Sequence, residues 1–364
     1  MITVIQAFAY SIVLLCSLCS VSGMAAATAE LDLGARVQSL PIANRFAESG
    51  YHVWCGSPLR TADGRYHLFY SRWPEAATFH PGWAIRSEIA YAIGDRAEGP
   101  YHPVNVALPA RGAVFWDGTS THNPTVIQVG TRFALFYTGN TGNGSYWIHR
   151  NNQRIGVALA DKPEGPWTRF DHPIIEVSND PTAFDALCVA NPAACLRPDG
   201  SILLHYKGVA KDPTKEPKGG VVRYGAALAE RPEGPYTKVP SRIFLPPEGA
   251  KVNHWMAAED SFIWYSELYG KQYYAVARDV SGLFTGESGG IALFQSVDGL
   301  DWKLAAQPKV LGKNYLLADG KRSATRLERP MVLIENGEPM YLFGAADGFA
   351  KEGKTSANVQ IPLR

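Results

Sequence analysis

The chain has 364 residues, 46% hydrophobic and 19% charged, the balance of a folded globular protein. That is length enough for two average domains or for one large β-barrel or propeller. A net charge of +1 argues against a polyanion-binding surface and a nucleic-acid partner. Aromatic residues at 11%, with 35 Gly and 25 Pro, favour many short strands joined by tight turns over long helices.

The chain begins with an apolar run, "FAYSIVLLCSLCSVSG", followed by the small residues of "MAAATAE". Residues 1–29 therefore read as a secretory signal, although no Lys or Arg lies near Met1. The run is short and broken by Ser and Gly, which argues against a membrane anchor. The expectation is a secreted or periplasmic protein of one domain, residues 30–364, with no membrane association after cleavage. Three cysteines follow the signal: Cys55, Cys188 and Cys195. An odd number cannot be fully paired. A Cys188–Cys195 bridge and three free thiols are both open, and no Cys/His spacing marks a zinc site.

Five segments then share one grammar: "SPLRTADGRYHLFYS", "NPTVIQVGTRFALFYTG", "NPAACLRPDGSILLHYKG", "DSFIWYSELYGKQYYAVARD" and "RPMVLIENGEPMYLFGAAD". Each opens on a polar residue and continues as a strand, a Gly-bearing turn and a second strand. The opening residues are Ser57, Asn123, Asn191, Asp260 and Arg329, spaced by 66, 68, 69 and 69 positions. Between them stand "IAYAIGDRAEGPYHPV", "IGVALADKPEGPWTRF", "YGAALAERPEGPYTKV" and the looser "IALFQSVDGLDWKL", which read as third and fourth strands. Four strands per period, five times over, predict an all-β, five-bladed β-propeller with four-stranded blades. The fifth copy lacks an "EGP" partner, and the region from Leu31 to Arg45 is expected to complete it.

In a propeller the starts of the inner strands converge on one end of the axis. The converging stretches are "VWCGSP", "FWDGTSTHNP", "DALCVANP", "NHWMAAEDS" and "ATRLERP". They offer Trp54, Ser57, Asp117, His122, Asn123, Asp185, Asn191, Trp255, Glu259, Asp260, Glu328 and Arg329. Carboxylates, amides, Arg and flat aromatics around one funnel suit a carbohydrate: hydroxyls take polar partners and the sugar face stacks on Trp. Glycoside hydrolysis needs one protonated and one ionised carboxyl group. Glu259, beside Trp255, Met256 and Phe262, is the candidate acid, with Asp117 or Asp260 as base. Plainer roles compete at each position. Glu259 and Asp260 can tie blades together through Arg329. Asp117 and Asp185 can cap turns, and His122 can be structural. Glu328 and Arg329 can pair internally, or Arg329 can grip a substrate carboxylate or hydroxyl. The insertions "FHPGWAIRSEIAYA" and "WIHRNNQRIGVA" are weaker candidates for substrate contact.

"SPLRTADGRYHLFYSRW" and "AEDSFIWY" resemble the first-blade "DP…DGxYYLxYS" and the acid-bearing "EGPxI" of the five-bladed glycoside hydrolases of family 43, to which family 117 is related. The resemblance covers nearly all of the chain after the signal. It implies a glycosidase whose proton donor aligns with Glu259, acting by inversion. It also departs from the family, because Ser57 and Asn191 stand where Asp is expected. A structural calcium at the axis is compatible with the resemblance, and no other cofactor is expected. The leading expectation is an exo-acting hydrolase of plant or algal polysaccharide fragments. A propeller that binds carbohydrate without cutting it, and a lyase using His122 and Arg329, are the alternatives.

Overall fold

The computed structural model describes residues 30–250, 256–323, 326–347 and 356–364. The expected signal and Trp255 lie outside the described residues. Five four-stranded antiparallel sheets form a ring, a five-bladed β-propeller. Blade 1 is β2 (Tyr51–Arg60), β3 (Tyr66–Pro74), β4 (Glu88–Gly94) and β5 (His102–Leu108); β1 is the short strand Arg45–Phe46. Blade 2 is β6 (Ser120–Val129), β7 (Arg132–Asn140), β8 (Arg154–Ala160) and β9 (Thr168–Arg169). Blade 3 is β10 (Cys188–Leu196), β11 (Ile202–Val209), β12 (Val222–Ala229) and β13 (Thr237–Ile243). Blade 4 is β14 (Ala258–Ser266), β15 (Gln272–Asp279), β16 (Gly290–Ser296) and β17 (Lys303–Leu311).

Blade 5 is composite. Its inner strands are β18 (Leu327–Glu335) and β19 (Glu338–Asp347), and its third is the C-terminal β20 (Ser356–Pro362). The N-terminal β1 supplies the outer edge by pairing Arg45 with Val359. The N-terminal contribution matches the sequence expectation; the third strand, "SANVQIP", carries no "EGP" signal and was not anticipated. This exchange ties both chain ends into one sheet and closes the ring.

Five hydrophobic clusters fill the five blade interfaces. Phe69 and Tyr91 of blade 1 meet Leu135 and Tyr137 of blade 2, for example, and Val53 and Tyr70 meet Met331 and Phe343 of blade 5. A four-stranded sheet has two apolar faces, and only a neighbour on each side covers both. In the three "EGP" turns Gly99, Gly165 and Gly234 have φ of 92°, 92° and 89°, a region costly for any residue with a Cβ. Cys55, Cys188 and Cys195 are free, buried thiols, so no Cys188–Cys195 bridge forms. Among the described residues, no helix is long and apolar enough to cross a membrane.

Candidate active site

Every inner strand carries a bulge at the same place. Pairing shifts between Trp54 and Ser57, His122 and Thr125, Ala190 and Ala193, Glu259 and Phe262, and Glu328 and Met331. Two residues thus oppose one on the neighbouring strand, which bends the inner strand and re-aims its side chains. The first residue of each bulge is left-handed: Cys55, Asn123, Asn191, Asp260 and Arg329, with φ between 52° and 60°. Asn and Asp tolerate this region best among residues with side chains. Pro follows in three blades, because the second bulge residue makes no ladder bond and needs no N–H.

These five residues meet at the axis and join into a directional chain. The Cys55 thiol donates to Asn123 Oδ1 at 2.9 Å, Asn123 Nδ2 to Asn191 Oδ1 at 2.6 Å, and Asn191 Nδ2 to Asp260 Oδ1 at 2.6 Å. Arg329 Nη1 reaches the same Asp260 oxygen from the other side at 3.3 Å. The first-blade member is therefore Cys55. Ser57 lies beyond the bulge, buried, where its hydroxyl accepts from the Val126 N–H at 3.1 Å.

Above this floor is a cavity of about 310 Å³. The residues just before the bulges line it: Trp54, His122, Glu259 and Glu328. The first-blade insertion forms helix α2 (Phe79–Ile85), which follows α1 (Leu33–Arg36) among the described residues, and adds Phe79, His80 and Trp83 to the wall. Gly82 lets α2 lie against Trp73, since a Cβ there would stand 2.8 Å from the indole. Tyr146 of helix α3 (Tyr146–Asn151), from the second insertion, packs edge-on against His80 with ring centroids 4.6 Å apart. One side of the cavity is thus aromatic.

The other side is charged. Lys207 Nζ lies 2.7 Å from Glu259 Oε1. Arg278 Nη1 stands 3.8 Å from Glu259 Oε2 and 2.9 Å from Glu328 Oε1. Burial pushes the Glu259 carboxyl up, but Lys207, by charge and hydrogen bond, together with Arg278 and Arg329, outweighs it and holds the group below the ordinary carboxylate range. Burial raises Glu328 to about 6; Arg278 opposes this, while Asp260 and Glu259 add to it. Asp260 is raised by burial and then by Glu259. Burial, with Arg329 and Lys207, lowers His122 to about 3, so its ring is neutral. The imidazole is fixed by Ser87 Oγ at 2.7 Å from Nδ1 and packed between Trp73 and Trp83.

The sequence candidates divide accordingly. Trp54, His122, Asn123, Asn191, Glu259, Asp260, Glu328 and Arg329 come together around the cavity. Asp117 and Asp185 do not. Asp117 is fully buried within blade 2, bound by Arg111 Nε at 2.6 Å, the Tyr137 hydroxyl at 2.8 Å and Arg169 at 3.3 Å. Asp185 repeats the arrangement in blade 3 with the Tyr206 hydroxyl at 3.0 Å and Lys238 at 2.6 Å. Each carboxylate pins the second-strand tyrosine of its blade, and neither lines the cavity. Lys207, Arg278, Trp73, Trp83 and Cys55, none of them singled out, do line it, as does Arg326. Aligning "FYSR", "FYTG", "HYKG" and "VARD" would have exposed Lys207 and Arg278 as cations at a position that holds Ser and Thr in the first two blades. Among the described residues, no group of three or more His, Cys, Asp or Glu side chains is placed to hold a metal ion.

No protein-family model and no curated protein sequence matches the chain. Solved structures do. A family 117 glycoside hydrolase of the marine bacterium Zobellia galactanivorans superposes with a TM-score of 0.60 at 16% identity, over 90% of both chains. A thermostable family 43 glycoside hydrolase gives 0.55 at 14% identity, over 86% of this chain and 90% of that one. An endo-arabinase of Bacteroides thetaiotaomicron gives 0.51 at 13% identity, over 90% of this chain and 98% of that one. The class is therefore that of the five-bladed propellers on which family 117 and family 43 glycoside hydrolases are built. At these identities the likeness establishes the fold.

Proposed function

We propose that the protein is a glycoside hydrolase, with Glu328 as proton donor and Glu259 as the ionised partner that activates water. The observation that carries this reading is Arg278 Nη1 touching both carboxyl groups while their surroundings push them to opposite protonation states. Two titratable groups driven apart in this way divide into acid and base. Their oxygens can be no further apart than the two Arg278 contacts combined, within reach of the roughly 5–9.5 Å over which glycosidase carboxyl pairs operate. This exchanges the role expected for Glu259 from sequence, because Lys207 favours its charged form. Trp54, Trp83 and Phe79 supply faces for a sugar ring, and Asn123 and Asn191 supply donors and acceptors for its hydroxyls.

The cavity is at the small end of ligand sites, which run from about 300 to 1,000 Å³, and helix α2 walls one side. Both features favour exo action on a terminal sugar of a plant or algal fragment. Inversion follows if Glu259 activates water directly. The apolar segment 1–29 supports export, to the periplasm or beyond. A screen of aryl glycosides and oligosaccharides, with proton NMR of the first-formed anomer, tests the activity and its stereochemistry. Glu328→Gln and Glu259→Gln should each lower kcat by about 10²–10⁴-fold. Binding of glycans by the wild-type protein without any turnover would favour the non-catalytic alternative, and an unsaturated product absorbing in the ultraviolet would favour the lyase.

A further inference from the structure

Arg329 is only 2% exposed and lines the cavity; among the described residues its side chain makes one hydrogen bond, the 3.3 Å contact from Nη1 to Asp260, and its Nε and Nη2 are buried without a partner. Leaving such donors unsatisfied costs stability, most of all for a charged group, so a native structure that tolerates them asks for an explanation. These two nitrogens form the side-on fork of the guanidinium. That fork matches two oxygens of one carboxylate or sulfate through parallel N–H···O bonds. Asp260 does not fill it: Arg329 meets that carboxylate through Nη1 alone, at the Oδ1 that also accepts from Asn191.

A second observation points the same way. Nε of Arg278, on the same wall, is also buried and unpartnered. Lys207, Arg278, Arg326 and Arg329 set four cations around the cavity against the three carboxyl groups of Glu259, Asp260 and Glu328. Among the described residues, only Arg326 has a further carboxylate, Asp347 at 2.6 Å. A neutral sugar offers hydroxyls, which are poor matches for a desolvated cationic fork; an oxyanion is a good one.

We infer that this site takes an acidic sugar, one bearing a carboxylate or a sulfate that the guanidinium of Arg329 holds. The inference deepens the glycosidase reading and names its substrate class, but its test is a binding measurement independent of turnover. Isothermal titration of the wild-type protein uses D-glucuronate and D-galacturonate for the carboxylate, D-galactose 6-sulfate for the sulfate, and D-glucose and D-galactose as neutral counterparts. At least one acidic sugar is expected to bind about tenfold or more tightly than its neutral counterpart. That preference should shrink as sodium chloride is raised and disappear in Arg329→Met. Because Arg329 is buried, its variant is checked by circular dichroism, and the salt series on the unmodified protein stands as the parallel measure. Equal affinity for acidic and neutral sugars, no binding by any acidic sugar, or a preference indifferent to salt overturns the inference. Acidic sugars bound without hydrolysis of their aryl glycosides would leave it standing and remove the glycosidase; hydrolysis confined to neutral glycosides would do the reverse.

Discussion

Lys207 Nζ stands 2.7 Å from Glu259 Oε1 across the boundary between blades 3 and 4, at the strand position that Ser71 holds in blade 1 and Thr138 in blade 2. Those two hydroxyls accept the bulge N–H groups of the next blade, Asn123 at 3.0 Å and Asn191 at 2.9 Å. A lysine cannot accept. In blade 4 the corresponding N–H, of Asp260, is taken instead by the Tyr224 hydroxyl at 2.7 Å. Support for the bulge has moved to another strand, and the vacated position now carries a cation into the cavity. Arg278 repeats the step one blade on and pairs with Glu328.

Removing that cation should destabilise the fold in a pH-dependent way. Glu259 sits below its ordinary range in the folded state, against burial, chiefly because of Lys207, with Arg278 and Arg329 adding to it. A group lowered on folding contributes stability above its unfolded pKa, and the contribution is lost as pH falls through the folded value. Lys207→Met leaves a largely buried carboxylate without its partner and should cost up to about 3 kcal/mol near neutral pH. Urea unfolding should show that loss at pH 7 and little of it well below the ordinary carboxylate range. The rising, acidic limb of kcat/KM should also move to higher pH, since Glu259 then ionises later. An unchanged acidic limb in a folded variant would remove Glu259 as the base.

Glu328 has the opposite linkage. Its folded pKa is raised from 4.5 to about 6 by burial, so its contribution is full below the unfolded value and disappears as pH rises through about 6. The change amounts to about 2 kcal/mol across that window. Activity should fall along its basic limb from about 6 upward, as the donor loses its proton. Glu328→Gln should abolish that limb together with most of the rate, and should flatten the stability profile between those pH values. A basic limb centred far above this range would assign proton donation to another group.

The fold was legible because a propeller repeats its grammar, and five polar-then-apolar openings at near-constant spacing leave little choice of architecture. The site was legible only in outline. Cys55 escaped because the repeat was aligned on Ser57, two residues past it, and bulges have no sequence signature beyond a following Pro or small residue. Lys207 and Arg278 escaped because they sit on second strands, whereas convergence on the axis was expected only of the starts of the first ones. Asp117 was a natural candidate base in "WDGT", yet the cross-strand geometry turns it inward to Tyr137, Arg111 and Arg169. Asp117→Asn should therefore cost about 3–5 kcal/mol, the range for breaking a buried ion pair, and leave kcat/KM of the folded protein at the wild-type level. Loss of turnover with unchanged unfolding would return Asp117 to the chemistry.

The axial chain makes a sharper demand, because its amides run in one direction. Asn191 must donate through Nδ2 to Asp260 while its Oδ1 accepts from Asn123, both at 2.6 Å. Asn191→Asp keeps the shape and the left-handed backbone tolerance but removes the donor. Two carboxylates in hydrogen-bond contact cannot both ionise, so the pair should hold one proton with a strongly raised pKa. Asp260 already lies above its ordinary value through burial and Glu259, which drives the shared proton higher still. A group raised on folding supports the fold only while it is protonated. The variant should therefore approach wild-type stability in mild acid and lose at least about 2 kcal/mol by pH 8. Thermal melts at several pH values measure the difference directly. A variant whose Tm tracks the wild type throughout that range would show that the amide of Asn191 donates nothing essential to Asp260.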